Sequence, residues 1–184
     1  YGFSNQLTPA PLMDFHQYLS TSGGGAGTNE LYNAGFGADP NVRLNRTGGT
    51  SFGVPNDFVG IHPGPNNQLS MARWTAPSAI GTVNITGAFL SGDSGAVDVY
   101  VVKNASTATP VILFSAANTF ADQAFATSTS VTAGDTIDFI VGAAGNYNND
   151  STPLLAHIAA VPEPGSIAAL GLGAAALLRR RKRA

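Results

Sequence analysis

The chain has 184 residues, no cysteine and a formal net charge of −2, so a disulfide framework and a thiolate metal site are both excluded. Five of its nine basic residues lie in the last six positions. Residues 1–160 therefore hold four Lys or Arg against ten Asp or Glu, and this net charge of −6 argues against a nucleic-acid-binding surface, which must neutralise phosphates.

About the first 65 residues lack a sustained hydrophobic period and predict no long element. Residues 22–27 are Gly-rich, and prolines at Pro40, Pro55 and Pro63 break the rest into short pieces. A structureless stretch of this length is uncommon in a compact domain, so we expect it to contribute short strands to the domain that follows. The sequence begins at Tyr1 without a signal peptide, and we expect its start to be truncated or removed by processing.

From residue 68 onward, apolar and polar residues alternate with a period of two, as in half-buried strands. In residues 82–89, Val83, Ile85 and Phe89 point to one face while Asn84 and Thr86 point to the other. Seven such segments are separated by turn signals, at residues 69–74, 82–89, 97–102, 111–114, 128–131, 136–141 and 154–158. They predict an all-β fold, an antiparallel β-sandwich formed by residues 1–160, with no amphipathic helix before residue 165.

Several segments of this region resemble a jelly-roll module of secreted bacterial proteins, similar to carbohydrate-binding modules. They are the strand at residues 81–89, His-Pro-Gly-Pro at 62–65, Arg-Trp-Thr-Ala-Pro at 73–77, Ala-Gly-Asp-Thr-Ile-Asp-Phe at 133–139 and Gly-Asn-Tyr-Asn-Asn-Asp-Ser at 145–151. The resemblance covers roughly residues 61–158 and implies a jelly-roll-like fold without naming a ligand. Residues 1–3 resemble the middle of the module's first strand, which implies that part of one edge is missing.

The sequence does not favour an enzyme. His16, His62 and His157 are scattered without metal-ligand spacing, and neither a Gly-x-Ser-x-Gly elbow nor a phosphate-binding loop is present. Asp135 and Asp138 are a possible pair of glycosidase carboxylates. Because Asp135 lies in a predicted turn and Asp138 lies opposite the apolar face of its strand, turn-capping and solvated roles are favoured instead. We expect a protein without catalytic residues.

Two binding sites are open alternatives. The oxygen ligands that calcium prefers are available from Asn146, Asn148 and Asp150, together with Asp93 or Asp98 across one end of the sandwich. The competing interpretation is an Asn-rich loop whose side chains cap their own backbone. We expect no cofactor other than calcium.

A second possible site is aromatic. Trp74 and Tyr147 are candidates for a platform on which a sugar ring stacks, and the competing interpretation for Trp74, the chain's only tryptophan, is core or edge packing.

The last 24 residues have three parts. The first is an extended, Pro-rich motif formed by Val161, Pro162, Glu163 and Pro164. An apolar run follows at residues 167–178. The last part is a basic cluster of Arg179, Arg180, Arg181, Lys182 and Arg183. We predict a transmembrane-type helix at residues 166–180, with the cluster acting as a cytoplasmic stop-transfer signal. As a helix, residues 165–178 would span about 21 Å, at ~1.5 Å per residue, against about 30 Å of hydrocarbon. The anchor is therefore marginal.

This arrangement in residues 161–184 resembles the PEP-CTERM sorting signal, which the membrane protease-transpeptidase exosortase recognises in bacteria that make exopolysaccharide. The resemblance implies exosortase and the membrane as partners, transient anchoring in the inner membrane and a final place at the cell surface or outside the cell. We expect a structural or adhesive module associated with exopolysaccharide or biofilm. The alternatives are a carbohydrate-binding module, a polysaccharide-acting hydrolase and, for the tail, an ordinary membrane anchor.

Overall fold

The computed structural model describes residues 39–162 in full and, before them, only the backbone of four short strands. These four are β1 Gly2–Ser4, β2 Met13–Asp14, β3 His16–Tyr18 and β4 Thr28–Tyr32. The strands that follow are β5 Asn41–Asn45, β6 Val59–His62, β7 Leu69–Thr75, β8 Gly81–Phe89, β9 Val97–Lys103, β10 Val111–Thr119, β11 Gln123–Val131, β12 Thr136–Ala143 and β13 Thr152–Ala160. The expected short strands before residue 65 are thus present.

The strands form two antiparallel sheets. The order is β10-β9-β12-β7-β1-β2 in the first sheet and β11-β8-β13-β6-β5-β4-β3 in the second. This confirms the predicted all-β, antiparallel two-sheet architecture. Within the described residues there is no helix with the length and apolar character needed to cross a membrane. The helix predicted at residues 166–180 lies outside the described residues.

The core lies between the sheets and follows the period-two pattern. In β8, Val83, Ile85 and Phe89 are buried. The exposed residues of this strand are Thr82, Asn84 and Thr86. The ring of Phe125 on β11 lies 5.5 Å from Phe89, 5.8 Å from Phe114 on β10 and 5.7 Å from Phe139 on β12. These contacts connect strands of both sheets, and each aromatic pair adds about 0.5–1.5 kcal/mol beyond simple burial.

Strands β10 and β11 are longer than the sequence predicts. The apolar pattern indicates residues 111–114 and 128–131, but the strands extend through Val111–Thr119 and Gln123–Val131. The added segments are rich in Ala, Ser, Thr and Asn, and Phe125 is their single large apolar residue, so they show no hydrophobic alternation. Both strands lie at the sheet edges, where backbone pairing with one neighbour, β9 or β8, maintains them.

The outer face of the first sheet contains a buried ion pair. Arg73 on β7 lies opposite Asp138 on β12, and its guanidinium donates to both oxygens of that carboxylate. Asp138 is 0% exposed and also accepts hydrogen bonds from Thr136 Oγ1 and the Ala105 backbone N–H, at 2.9 and 3.1 Å. The expectation that Asp138 is solvated is therefore wrong.

The segment after β9 explains this error. It covers the outer face of the sheet, where Ala105 packs into a second buried cluster with Met71, Val102 and Ile140. Ser106 Oγ accepts a hydrogen bond of 2.7 Å from Arg73. A pattern within one strand cannot show that a distant loop covers its polar face.

This ion pair generates a stability prediction. Asp138→Asn removes the charge that compensates Arg73 and presents an amide to the Ala105 N–H, so the free energy of unfolding should fall by about 3 kcal/mol. Asp57→Asn is the matched control, because Asp57 forms an exposed ion pair with Arg46 and asparagine tolerates its positive φ. The control should change stability by about 0–1 kcal/mol. Urea denaturation of the whole chain in mild detergent measures both, and equal losses would contradict the account.

Candidate functional site

Two loops meet at one end of the sandwich, residues 90–96 between β8 and β9 and residues 144–151 between β12 and β13. The Gly95 N–H donates a hydrogen bond of 2.7 Å to the Asn149 carbonyl, which ties the loops together. Between them lies a recess whose lining includes Asp93, Gly95 and Asp150. Its accessible space is that of roughly one water molecule, so it fits an ion rather than a sugar ring.

Asp150 is the unusual residue of this recess. It is 1% exposed, and neither of its carboxylate oxygens has a hydrogen-bond partner among the residues that the structure describes. Burial, together with the negative charge of Asp93, raises the pKa of Asp150 to about 7. Asp138, by contrast, is equally buried but accepts four hydrogen bonds, from Arg73, Ala105 and Thr136. Asp150 is therefore a buried acid whose ionised form has no compensation from the described protein groups.

Gly95 makes room for a group of oxygen atoms. The carbonyl oxygens of Asn149 and Asn148 lie 2.6 and 2.7 Å from the point that a Cβ at Gly95 would occupy, and Asp150 Oδ1 lies closer still. Three oxygens from consecutive residues thus converge on one side of Gly95. Only glycine permits this approach, because any side chain would collide with them.

Asp98 and Asn146, which the sequence also suggested as calcium ligands, do not line the recess. Asp98 lies on β9 between Val97 and Val99, which face the core, and its Oδ1 accepts a hydrogen bond of 2.7 Å from the Asn118 N–H. Asn146 Oδ1 accepts hydrogen bonds from the backbone N–H and the side chain of Asn148, at 3.1 and 2.8 Å. This is the local capping that the competing interpretation describes.

The recess therefore contains Asp93 and Asp150, whereas the side chains of Asp98 and Asn146 are engaged elsewhere. Across residues 39–162, no three His, Asp or Glu side chains come together as a metal-binding group. Further oxygen ligands at this position would come from backbone carbonyls, from water or from the uncharged polar side chains of the lining. The sequence shows residue types, but it could not show which carbonyls converge on Gly95.

Trp74 and Tyr147 do not form one platform. Trp74 pairs with Ile137 at the start of β12 and packs, half-buried, against the core. Tyr147 follows the other end of β12, where its ring lies 6.4 Å from that of His62 at an angle of 81°. A strand rises about 3.3 Å per residue, so the length of β12 places the two aromatic residues roughly 20 Å apart.

The two carboxylates considered for glycosidase chemistry are both engaged within the fold. Asp135 accepts hydrogen bonds from Thr132 N–H and Asn104 Nδ2, each at 2.8 Å, and lies 3.0 Å from Lys103 Nζ. These donors hold the pKa of Asp135 well below its usual range. Asp138 is the buried partner of Arg73. Asp135 therefore caps its turn, as the sequence suggested.

The histidines are also dispersed. His62 is buried, with Nδ1 3.2 Å from Asp39 Oδ1 and 2.7 Å from the Pro63 carbonyl. His157 is exposed on β13, and the side chain of His16 lies outside the described residues.

Comparison with known proteins identifies the tail. Residues 160–183 match the PEP-CTERM protein-sorting motif. The match and the fold together define a PEP-CTERM protein in which the sorting motif follows a β-sandwich domain. The motif indicates an exported protein. No curated protein sequence is significantly similar to the chain.

Among solved structures, the chain is similar to an isomalto-dextranase of Arthrobacter globiformis T6 complexed with panose, at 16% identity and a TM-score of 0.33. This match covers 73% of the chain but 21% of the dextranase, so the chain spans about a fifth of that enzyme. The chain is also similar to the CBM35 of Cellvibrio japonicus Abf62, at 18% identity and a TM-score of 0.33, with 73% and 98% of the two chains covered. These likenesses are distant and define no ligand.

The oxygen cluster at Gly95 is testable by substitution. Gly95→Ala places a methyl group against Asp150 Oδ1 and two carbonyls, and should lower the free energy of unfolding by about 1–3 kcal/mol. Gly49→Ala is the control, because nothing lies within 4 Å of a Cβ at that position. It should change stability by at most about 0.5 kcal/mol. Denaturant titration measures both variants, and an unchanged Gly95→Ala would show that the oxygens do not converge as described.

Proposed function

We propose that the chain is an exported cell-surface or extracellular-matrix protein that exosortase sorts through residues 161–184. The apolar segment and the basic cluster hold it briefly in the inner membrane, and the β-sandwich acts outside the cell as a structural or adhesive module. The motif match at residues 160–183 is the observation that carries this proposal. The absence of cysteine and the acidic balance of residues 1–160 are compatible with it.

The connection between the sandwich and the motif supports the proposal. Strand β13 lies inside its sheet, between β8 and β6. Its ladder continues for one residue beyond Ala160, because the Val161 N–H donates a hydrogen bond of 2.9 Å to the Thr82 carbonyl. Pro162 has no N–H to donate and is exposed, so the ladder ends there. The recognition motif therefore begins where the folded domain ends, without a spacer.

This connection also orients the domain. β13 pairs with β8 from Ala160 opposite Val83 to Leu154 opposite Phe89. The motif begins at the Val83 end, while the recess lies beyond the Phe89 end, so roughly 20 Å of strand separates them. With the motif at the membrane surface, the loops around the recess would face away from the bilayer. That arrangement suits a module that contacts material outside the cell.

A carbohydrate-binding module is the second candidate. The observation in its favour is Phe120, which is 64% exposed in the turn between β10 and β11 at the rim of the recess, outside the space that fits an ion. An exposed aromatic ring at a loop end offers an apolar face to a ligand. A glycan array probed with the wild type and with Phe120→Ala distinguishes the two candidates. Binding that depends on Phe120 would favour the carbohydrate-binding module over the purely structural one.

Sorting is tested in the native host. Glu163→Ala should preserve membrane insertion but block recognition, so the unprocessed precursor should accumulate in the membrane fraction, as it should when exosortase is deleted. Asp57→Asn, an exposed acid outside the motif, is the control and should be processed normally. Gel mobility and fractionation measure the ratio of precursor to mature protein. Identical ratios in all strains would show that processing does not depend on exosortase.

A further inference from the structure

We propose that the recess at the end of the sandwich binds a calcium ion through the carboxylates of Asp93 and Asp150, with the remaining ligands supplied by water and by oxygen atoms of the loops around the recess. This inference concerns the β-sandwich and goes beyond the proposed sorting function. It does not depend on whether exosortase acts on the chain.

The first support is the state of Asp150. A buried carboxylate needs hydrogen-bond donors or a cation, because the protein interior solvates a charge far less well than water does. Asp150 has neither donor nor ion-pair partner among the described residues, although it is 1% exposed. Asp93 adds a second negative charge to the same recess. A divalent cation would convert this repulsion into attraction and complete the coordination of the buried oxygens.

The second support is the nature and arrangement of the donors. Carboxylates and main-chain carbonyls are hard oxygen ligands, which calcium accepts in irregular geometries and in larger number than magnesium does. The recess lining contains no histidine or cysteine, so a zinc site is not favoured. Its space of roughly one water molecule suits a single ion. Gly95 permits the oxygens to approach one another.

The position of the site gives the ion a structural role. It would connect the loop that leads into β9, at Asp93, with the loop that leads into β13, at Asp150. One of these strands lies in each sheet, so the ion would fasten the two sheets at the end opposite to the motif. Extracellular calcium modules bind with dissociation constants of about 0.1–1 mM. A site of this strength would fill after export.

The test uses the whole chain, purified in mild detergent at about pH 8, so that Asp150 is ionised. Calcium at ten times its dissociation constant should raise the melting temperature of the wild type by about 3–6 °C relative to chelator. Isothermal titration should show one calcium ion per chain, with magnesium binding more weakly. Asp150→Asn removes the buried charge and offers an amide to the nearby carbonyls. It should melt at least as high as the wild type in chelator and lose the response to calcium.

Asp57→Asn is the matched control, since Asp57 does not line the recess and forms an exposed ion pair with Arg46, and it should keep the full calcium shift. Should Asp150→Asn fail to fold, Asp93→Asn and the wild-type titration decide the question. No calcium binding by the wild type at millimolar concentration would overturn the proposal. A calcium shift that persists in a folded Asp150→Asn, or in Asp93→Asn when Asp150→Asn does not fold, would overturn it equally.

Discussion

The contact of the two sheets through Phe125 is the interaction on which the rest of the structure depends. Phe125 lies on an edge strand, yet its ring contacts Phe89 in its own sheet and both Phe114 and Phe139 in the opposite one. Burial of these rings secures the edge strands β10 and β11, in which residues 115–119 and 126–130 are all small or polar. It also fixes the relative position of the sheets, and therefore where the loops at each end of the sandwich meet.

The same packing determines what the two ends can do. At one end, β13 passes into the sorting motif after a last hydrogen bond from Val161 to Thr82. At the other end, the loops that precede β9 and β13 bring Asp93 and Asp150 into one recess. A rigid ladder between β8 and β13 separates the two sites. The domain thus presents the loops around the recess on the side away from the motif.

The sequence predicted the fold class because alternation in segments such as residues 82–89 reflects burial directly. It predicted the tail because its proline, apolar and basic parts are contiguous. It did not predict the environment of Asp138, because the loop that covers this residue lies far from it in sequence. It named Asp93 and Asp150 among the calcium candidates but could not separate them from Asp98. Their grouping depends on how the loops before β9 and β13 meet, and a pattern within one segment does not show which distant loop lies beside it.

The central claim is that a folded β-sandwich is exported and then separated from its basic tail at the motif that follows β13. The most direct measurement is the C-terminal peptide map and intact mass of the protein extracted from the surface of its native host. The account predicts that the mature chain ends at or beside Val161–Pro162–Glu163–Pro164. A mature form that retains residues 165–178 as the dominant species would contradict it and would make the tail a permanent membrane anchor.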